Sequence, residues 1–123
     1  MTSGIIVFAH GSRVESANQA VRDVVAAIAR PLGPFEHVET AFLELGRPDL
    51  NEAAARLVAA GVGRIVVIPY FLTLGLHLER DLPRLLDETA VHFPGVEFSA
   101  TAPLDGHPAL ARILLDRARQ ALG

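Results

Sequence analysis

The sequence predicts an α/β fold in which a four-stranded parallel sheet, in the order 2-1-3-4, is flanked by helices. Gly4 to Ala9 (G-I-I-V-F-A) and Arg64 to Pro69 (R-I-V-V-I-P) are continuous apolar runs rich in β-branched residues, as strands covered on both faces are. His37 to Leu43 and Val96 to Ala100 alternate polar and apolar residues, which suits strands with a more exposed face at the sheet edges. Between these runs lie segments with apolar residues at helical spacing, and such alternation implies parallel pairing through right-handed crossovers.

Each element follows in turn. After strand one, Val14, Ala17, Val21, Val24 and Ile28 recur at helical spacing, so helix one is predicted from about Arg13 to Arg30, with Ser12 and Glu15 spaced as a capping box. Strand two is the run ending A-F-L. Leu50, Ala54, Leu57 and Val58 form helix two behind Pro48 and Asp49, and Gly61 stops it. Strand three is the second continuous apolar run. A third stripe comprises Leu82, Leu85, Leu86, Thr89 and Phe93; its start is blurred, because Pro83 would break a helix begun at His77. Strand four follows, and Pro108 to Leu122 forms a fourth helix with Leu110, Ile113, Leu114 and Ala118 on one stripe. With runs one and three central, the chain steps one way to strand two and then reverses to place strand three on the other side. Ligands bind where such a reversal opens a crevice at the carboxyl ends of strands. His10 stands at one lip of that crevice, and the segment after Pro69, with His77, at the other.

A chain of 123 residues is the size of one domain, here 1–123, with a real core and no room for a second. Half of its residues are hydrophobic, which points to apolar surface that meets a partner or a large ligand. Without cysteine there are no disulfides or thiolate sites, so a metal must be held by His, Asp or Glu, and a reducing cytoplasm suits the chain. The amino terminus lacks a basic segment, and the longest uncharged stretch, Ile65 to Leu76, is too short to span a bilayer; neither export nor a membrane segment is expected. A net charge of −3, with scattered arginines and no lysine, argues against nucleic acid as a partner.

Strand one ends in His10, followed by Gly11, Ser12 and Arg13. Glycine lets backbone approach closely, and a helix amino terminus beside an arginine favours an anion such as a carboxylate. His10 is thus either an imidazole at the mouth of a cleft or one hydrogen-bonded at a strand end. Glu44 follows strand two at the same edge and reads equally as a site residue or a solvated loop acid. The stretch P-Y-F-L-T-L-G-L-H-L-E-R-D-L-P, residues 69 to 83, sets a series of large apolar residues before its histidine where a connecting loop should be polar. It could line a cavity for a broad, flat ligand, form a subunit contact, or do both. Asp81, four residues beyond His77, could orient that imidazole or cap helix three. Two histidines and a glutamate, converging without thiols, suit a borderline divalent ion such as cobalt, iron, nickel or zinc, and can also accept protons near neutral pH. His37, His92 and His107 read as surface residues, His107 as the cap of helix four.

On these residues the chain resembles the small class II tetrapyrrole chelatases, the short CbiX-type sirohydrochlorin cobaltochelatases and ferrochelatases. The resemblance covers nearly the whole chain: G-I-I-V-F-A-H-G-S-R at 4 to 13, A-F-L-E at 41 to 44, and the 69 to 83 stretch, the most specific. It implies a chelatase-like (flavodoxin-like) fold. It also implies that His10, Glu44 and His77 bind the incoming metal and help remove the pyrrole protons. Ser12 and Arg13 would face the acidic substituents of the tetrapyrrole, with Leu74 and Gly75 as further substrate contacts. No permanently bound cofactor is implied: cobalt, iron or nickel is a substrate, the tetrapyrrole is the other, and the short forms pair as homodimers. Asp105 departs from the pattern, where a smaller residue is expected. Two other classes compete. Histidine phosphatases also place His-Gly after strand one, but with arginine before the histidine, where this chain has Ala9. A tetrapyrrole or metal carrier would use the same cleft without turnover.

Overall fold

The computed structural model describes residues 2–33 and 36–123. The chain alternates strand and helix throughout: β1 (Ser3–Ala9), α1 (Glu15–Leu32), β2 (Glu36–Phe42), α2 (Leu50–Ala59), β3 (Arg64–Pro69), α3 (Gly75–Val91), β4 (Glu97–Ala100) and α4 (Pro108–Leu122). The strands form one four-stranded sheet in the order β2-β1-β3-β4, every pairing parallel, as predicted. In the register Ile6 lies between Glu39 and Val67, and Phe8 between Ala41 and Pro69, so the apolar runs occupy the two inner strands.

Side-chain alternation sorts the sheet into two faces. Ile6, Phe8, Ala41, Ile65 and Val67 face Ala53, Ala54 and Leu57 of α2 and Leu82 and Leu86 of α3, and together these form the core. The opposite face is covered by α1, over β2. Burial of Val7 and Ala9 on one face and of Ile6 and Phe8 on the other explains why the second half of β1 is a continuous apolar run rather than an alternating one.

Three expectations about the helices change. Helix α1 begins at Glu15, with Val14 in the cap position and no side-chain cap, so Ser12 and Glu15 do not form a capping box. The Ser12 hydroxyl instead accepts a bond from the Val14 amide (3.0 Å), and Glu15 bonds to Arg22 and Asn18. Its buried stripe is also rotated: Asn18 and Val25 are buried, while Val14 and Val24 are exposed. The capping box lies at α2, where the Asp49 carboxylate accepts from the Glu52 amide (2.9 Å) and the Glu52 carboxylate from the Asp49 amide (3.0 Å). Helix α3 starts at Gly75 and runs through Pro83. Pro83 is exposed, so the backbone bond that its ring removes is lost on the solvent side, and the buried Leu82, Leu86 and Thr89 hold the helix to the sheet across it. Asp81 is therefore an interior residue of α3 rather than its cap.

Candidate functional site

The reversal of strand order falls between β1 and β3, and the predicted residues gather there at the carboxyl ends. The Ala9 carbonyl accepts from the Leu43 amide (2.8 Å) and the His10 carbonyl from the Glu44 amide (3.0 Å), so β2 pairing continues past the strands and carries Glu44 beside His10. Gly11 permits this approach. It has a positive φ of 93°, and a Cβ built there would lie 1.6 Å from the Glu44 carbonyl oxygen, so no other residue fits. The His10 Nε2 then stands 3.6 Å from the Glu44 Oε1, both side chains more than half exposed.

Asn18, only 1% exposed, ties these two loops together. Its side-chain oxygen accepts from the Ser12 amide (2.9 Å), and its amide group donates to the carbonyls of Ser12 (2.9 Å) and Leu45 (3.1 Å). Leu45 itself has a φ of 58°, a conformation uncommon for a residue with a branched side chain. The Asn18 bonds fix the turn just beyond Glu44. The signal was present in the sequence as a polar residue on the inner stripe of α1.

Across from this wall lies the segment after β3. A cavity of about 440 Å³ opens between the two, lined by His10 and Leu43 on one side and by Phe71, Leu74, Gly75, Leu76, His77, Leu78, Asp81, Arg84 and Leu85 on the other. His77 sits in the first turn of α3, on the far wall from His10. Among the described residues no three ligating side chains stand together as a metal nest. Thus His10 and Glu44 are brought together, and His77 shares the cavity with His10 without joining the pair, Glu44 standing beside the cavity rather than lining it. Leu74 and Gly75 line the cavity as expected; Ser12 and Arg13 lie outside it, Ser12 half-buried beneath the first loop and Arg13 exposed. Asp81 does not orient His77: its carboxylate is 3.6 Å from Arg84, which also bonds Glu88 at 3.0 Å. Arg84 is the arginine of the cavity wall, and sequence reasoning missed it because helical spacing from His77 (77, 81, 84) was hidden by Pro83. Asp105 lies behind Leu74 and Gly75, in a smaller depression that also includes Glu79.

Exposed leucines stand at and near the cavity: Leu43 and Leu76 line it, Leu76 being 81% exposed, and Leu45 and Leu72 are exposed in the loops that follow β2 and β3. Phe71 turns inward to meet Phe8 edge-on, with ring centroids 6.4 Å apart. The architecture therefore offers two ligating wall groups, an imidazole opposite, and an open apolar mouth.

The CbiX family model matches residues 4–121. The chain belongs to the CbiX family. It is 33% identical over 140 residues to the sirohydrochlorin cobaltochelatase of Methanopyrus kandleri, covering 97% of this chain and 96% of that protein. It is 35% identical over 119 residues to the chloroplastic sirohydrochlorin ferrochelatase of Arabidopsis thaliana, again across 97% of this chain but only 52% of the plant protein. Among solved structures, a CbiX protein from Marinobacter aquaeolei VT8 superimposes with a TM-score of 0.84 at 25% identity, covering 98% of this chain and 97% of that one.

Proposed function

We propose that this member of the CbiX family is a sirohydrochlorin chelatase, inserting a divalent metal ion, cobalt first and iron or nickel as alternatives, and that it works as a homodimer in the cytoplasm. The observation that carries the reading is the His10–Glu44 pair, whose His10 lines the same cavity as His77. A nitrogen and an oxygen each about 2.1 Å from a shared ion at a tetrahedral angle stand about 3.4 Å apart. The observed 3.6 Å is close to that separation and is too long for a good hydrogen bond.

Insertion exchanges one divalent ion for two pyrrole N–H protons, so the site needs a place to hold the ion and groups to take the protons. His10 and Glu44 deliver the ion from one wall, with the carboxylate offsetting part of its charge. His77 faces the other side of the macrocycle and accepts one proton from it, and the ion's departure from His10 and Glu44 frees that pair to take the second. The exposed leucines of the rim cover the flat faces of the ring, and the solvent edge leaves its carboxylates in water. A homodimer suits the ligand because one lip cannot enclose a macrocycle, and small-molecule sites bury most of their ligand. The test is anaerobic incubation of the protein with sirohydrochlorin and each metal in turn, following the absorbance change on insertion. Accelerated insertion that His10→Ala abolishes is the expected result. Tight binding of sirohydrochlorin without acceleration by any metal overturns it in favour of a carrier.

A further inference from the structure

Among the described residues that line the cavity, Arg84 is the single permanent cation, and it stands on the same helix as His77. His77, Asp81, Arg84 and Glu88 follow one another at intervals of four, three and four residues, so all four share one face of α3. His77 and Arg84 are about 10 Å apart along the helix axis at the usual rise per residue. An imidazole and a guanidinium are thereby presented to one cavity two turns apart.

The guanidinium is held in place but not used up. Asp81 and Glu88 flank it on its own helix, with one Nη 3.0 Å from the Glu88 Oε1 and the other 3.6 Å from the Asp81 Oδ1, the second too long for a good hydrogen bond. The Arg84 side chain is 60% exposed, and ion pairs at that exposure contribute little, so exchanging them for a better-placed anion costs little. A guanidinium carries five N–H donors in a planar fork that matches a carboxylate edge to edge. Glu88 takes one of them.

We propose that Arg84 receives a peripheral carboxylate of the tetrapyrrole and so fixes the register of the ring in the cavity; the inference rests on the chelatase reading above. A macrocycle with acidic substituents around its periphery cannot keep all of them in water when part of its edge enters a cavity walled by leucines. A carboxylate taken from water without a partner is costly, and Arg84 is the cation placed to meet it. With His77 at the pyrrole nitrogens, a group about 10 Å further along α3 lies at the edge of the ring rather than under its centre. Asp81 and Glu88 supply the selective element, because a carboxylate that falls short of the guanidinium or passes it meets a like charge. Specificity combines an attractive contact with a repulsive one in this way. Arg84 is thus a specificity-determining residue, acting on which tetrapyrrole is held and in what rotation, and it takes no part in moving the protons or the metal.

The test compares metal-free sirohydrochlorin with its fully esterified form, which has no carboxylate, by fluorescence titration in dilute detergent, alongside the kinetics of cobalt insertion. Arg84→Ala should weaken sirohydrochlorin binding and raise KM by about 10- to 100-fold, the range of a charged hydrogen-bonded contact, with kcat nearly unchanged. The ester should bind the wild type and the variant alike, and Arg84→Lys, which keeps the charge without the fork, should fall between them for the acid. Unchanged binding of sirohydrochlorin by Arg84→Ala, or an equal loss for acid and ester, overturns the inference and leaves the chelatase reading standing. A wild-type protein that neither binds sirohydrochlorin nor speeds insertion removes both. Because Arg84→Ala also strips Asp81 and Glu88 of their partner, the comparison is repeated in an Asp81→Asn, Glu88→Gln background. A direct contact predicts that the loss persists there, whereas full recovery of binding assigns the effect to the bared carboxylates and overturns the contact.

Discussion

Removing the Asn18 carboxamide would leave the Ser12 amide and two carbonyls, those of Ser12 and Leu45, without their protein partner. A partly buried polar group left unpaired costs about 1–3 kcal/mol. Asn18→Ala should therefore lower stability by on the order of 3 kcal/mol, measured by urea unfolding. Its turnover should fall further than its folded fraction does, because the loops bearing His10 and Glu44 lose their common tether; turnover that tracks the folded fraction would make Asn18 purely structural. The groups it positions give a sharper expectation. His10→Ala and His77→Ala should each slow insertion by about 100-fold or more with little change in stability, since both side chains are exposed. Glu44→Gln should slow insertion on the order of 100-fold and leave folding intact. Wild-type rates in all three purified variants would dismiss the assignment. Protonated imidazole neither ligates a metal nor accepts a proton, so insertion should decline as the solution is acidified.

At the scale of elements, the α2 amino terminus is a measurable unit. Asp49→Ala removes the side-chain half of its capping box and should cost about 1 kcal/mol in thermal or urea unfolding. The bond from the Asp49 amide, and then that from the Arg47 guanidinium, hold the Glu52 carboxyl below the usual carboxylate range; bonds from Arg22 and then Asn18 do the same to Glu15. A carboxyl whose folded value is depressed contributes stability above its unfolded value, and that contribution disappears as pH falls through the folded one. Glu52→Gln should accordingly flatten the acid side of the stability curve and leave its slope near neutrality unchanged. The strands and α2 were legible in sequence because their burial is set by period and composition, as the continuous runs of β1 and β3 show. The start of α3 was not. Pro83 normally ends a helix, and only the packing of Leu82, Leu86 and Thr89 on the sheet overrides it. The same obstacle hid Arg84. Glu44 was legible as a neighbour of His10, but their separation depends on the Gly11 backbone and on Asn18, which sequence spacing does not encode. That α4 would be apolar was plain; that it stands away from its own sheet follows from three-dimensional packing alone.

For the whole molecule, the unusual apolar content predicted from composition is accounted for by place rather than amount. It sits beside the cavity and along the exposed α4, while the interior has no buried side-chain polar atom lacking a partner among the described residues. If pairing completes the enzyme, specific activity should drop on dilution through the concentration at which light scattering reports half-dissociation. Specific activity constant across that range would separate catalysis from pairing.

The segment that leads into α4 does not simply leave the body. Its Leu104 amide donates to the Phe71 carbonyl (2.9 Å) and its Asp105 amide to the Leu72 carbonyl (2.8 Å), so the base of the outgoing helix is stitched to the loop that carries the cavity wall. A contact made on the helix would also restrain that loop, so if the proposed homodimer pairs through α4, two binding events share one restraint and are thermodynamically linked. Such linkage is reciprocal: the factor by which pairing tightens the hold on the macrocycle equals the factor by which the macrocycle tightens pairing. Sirohydrochlorin would then act as its own assembly signal, drawing dilute subunits together when it accumulates and letting them part as it is consumed.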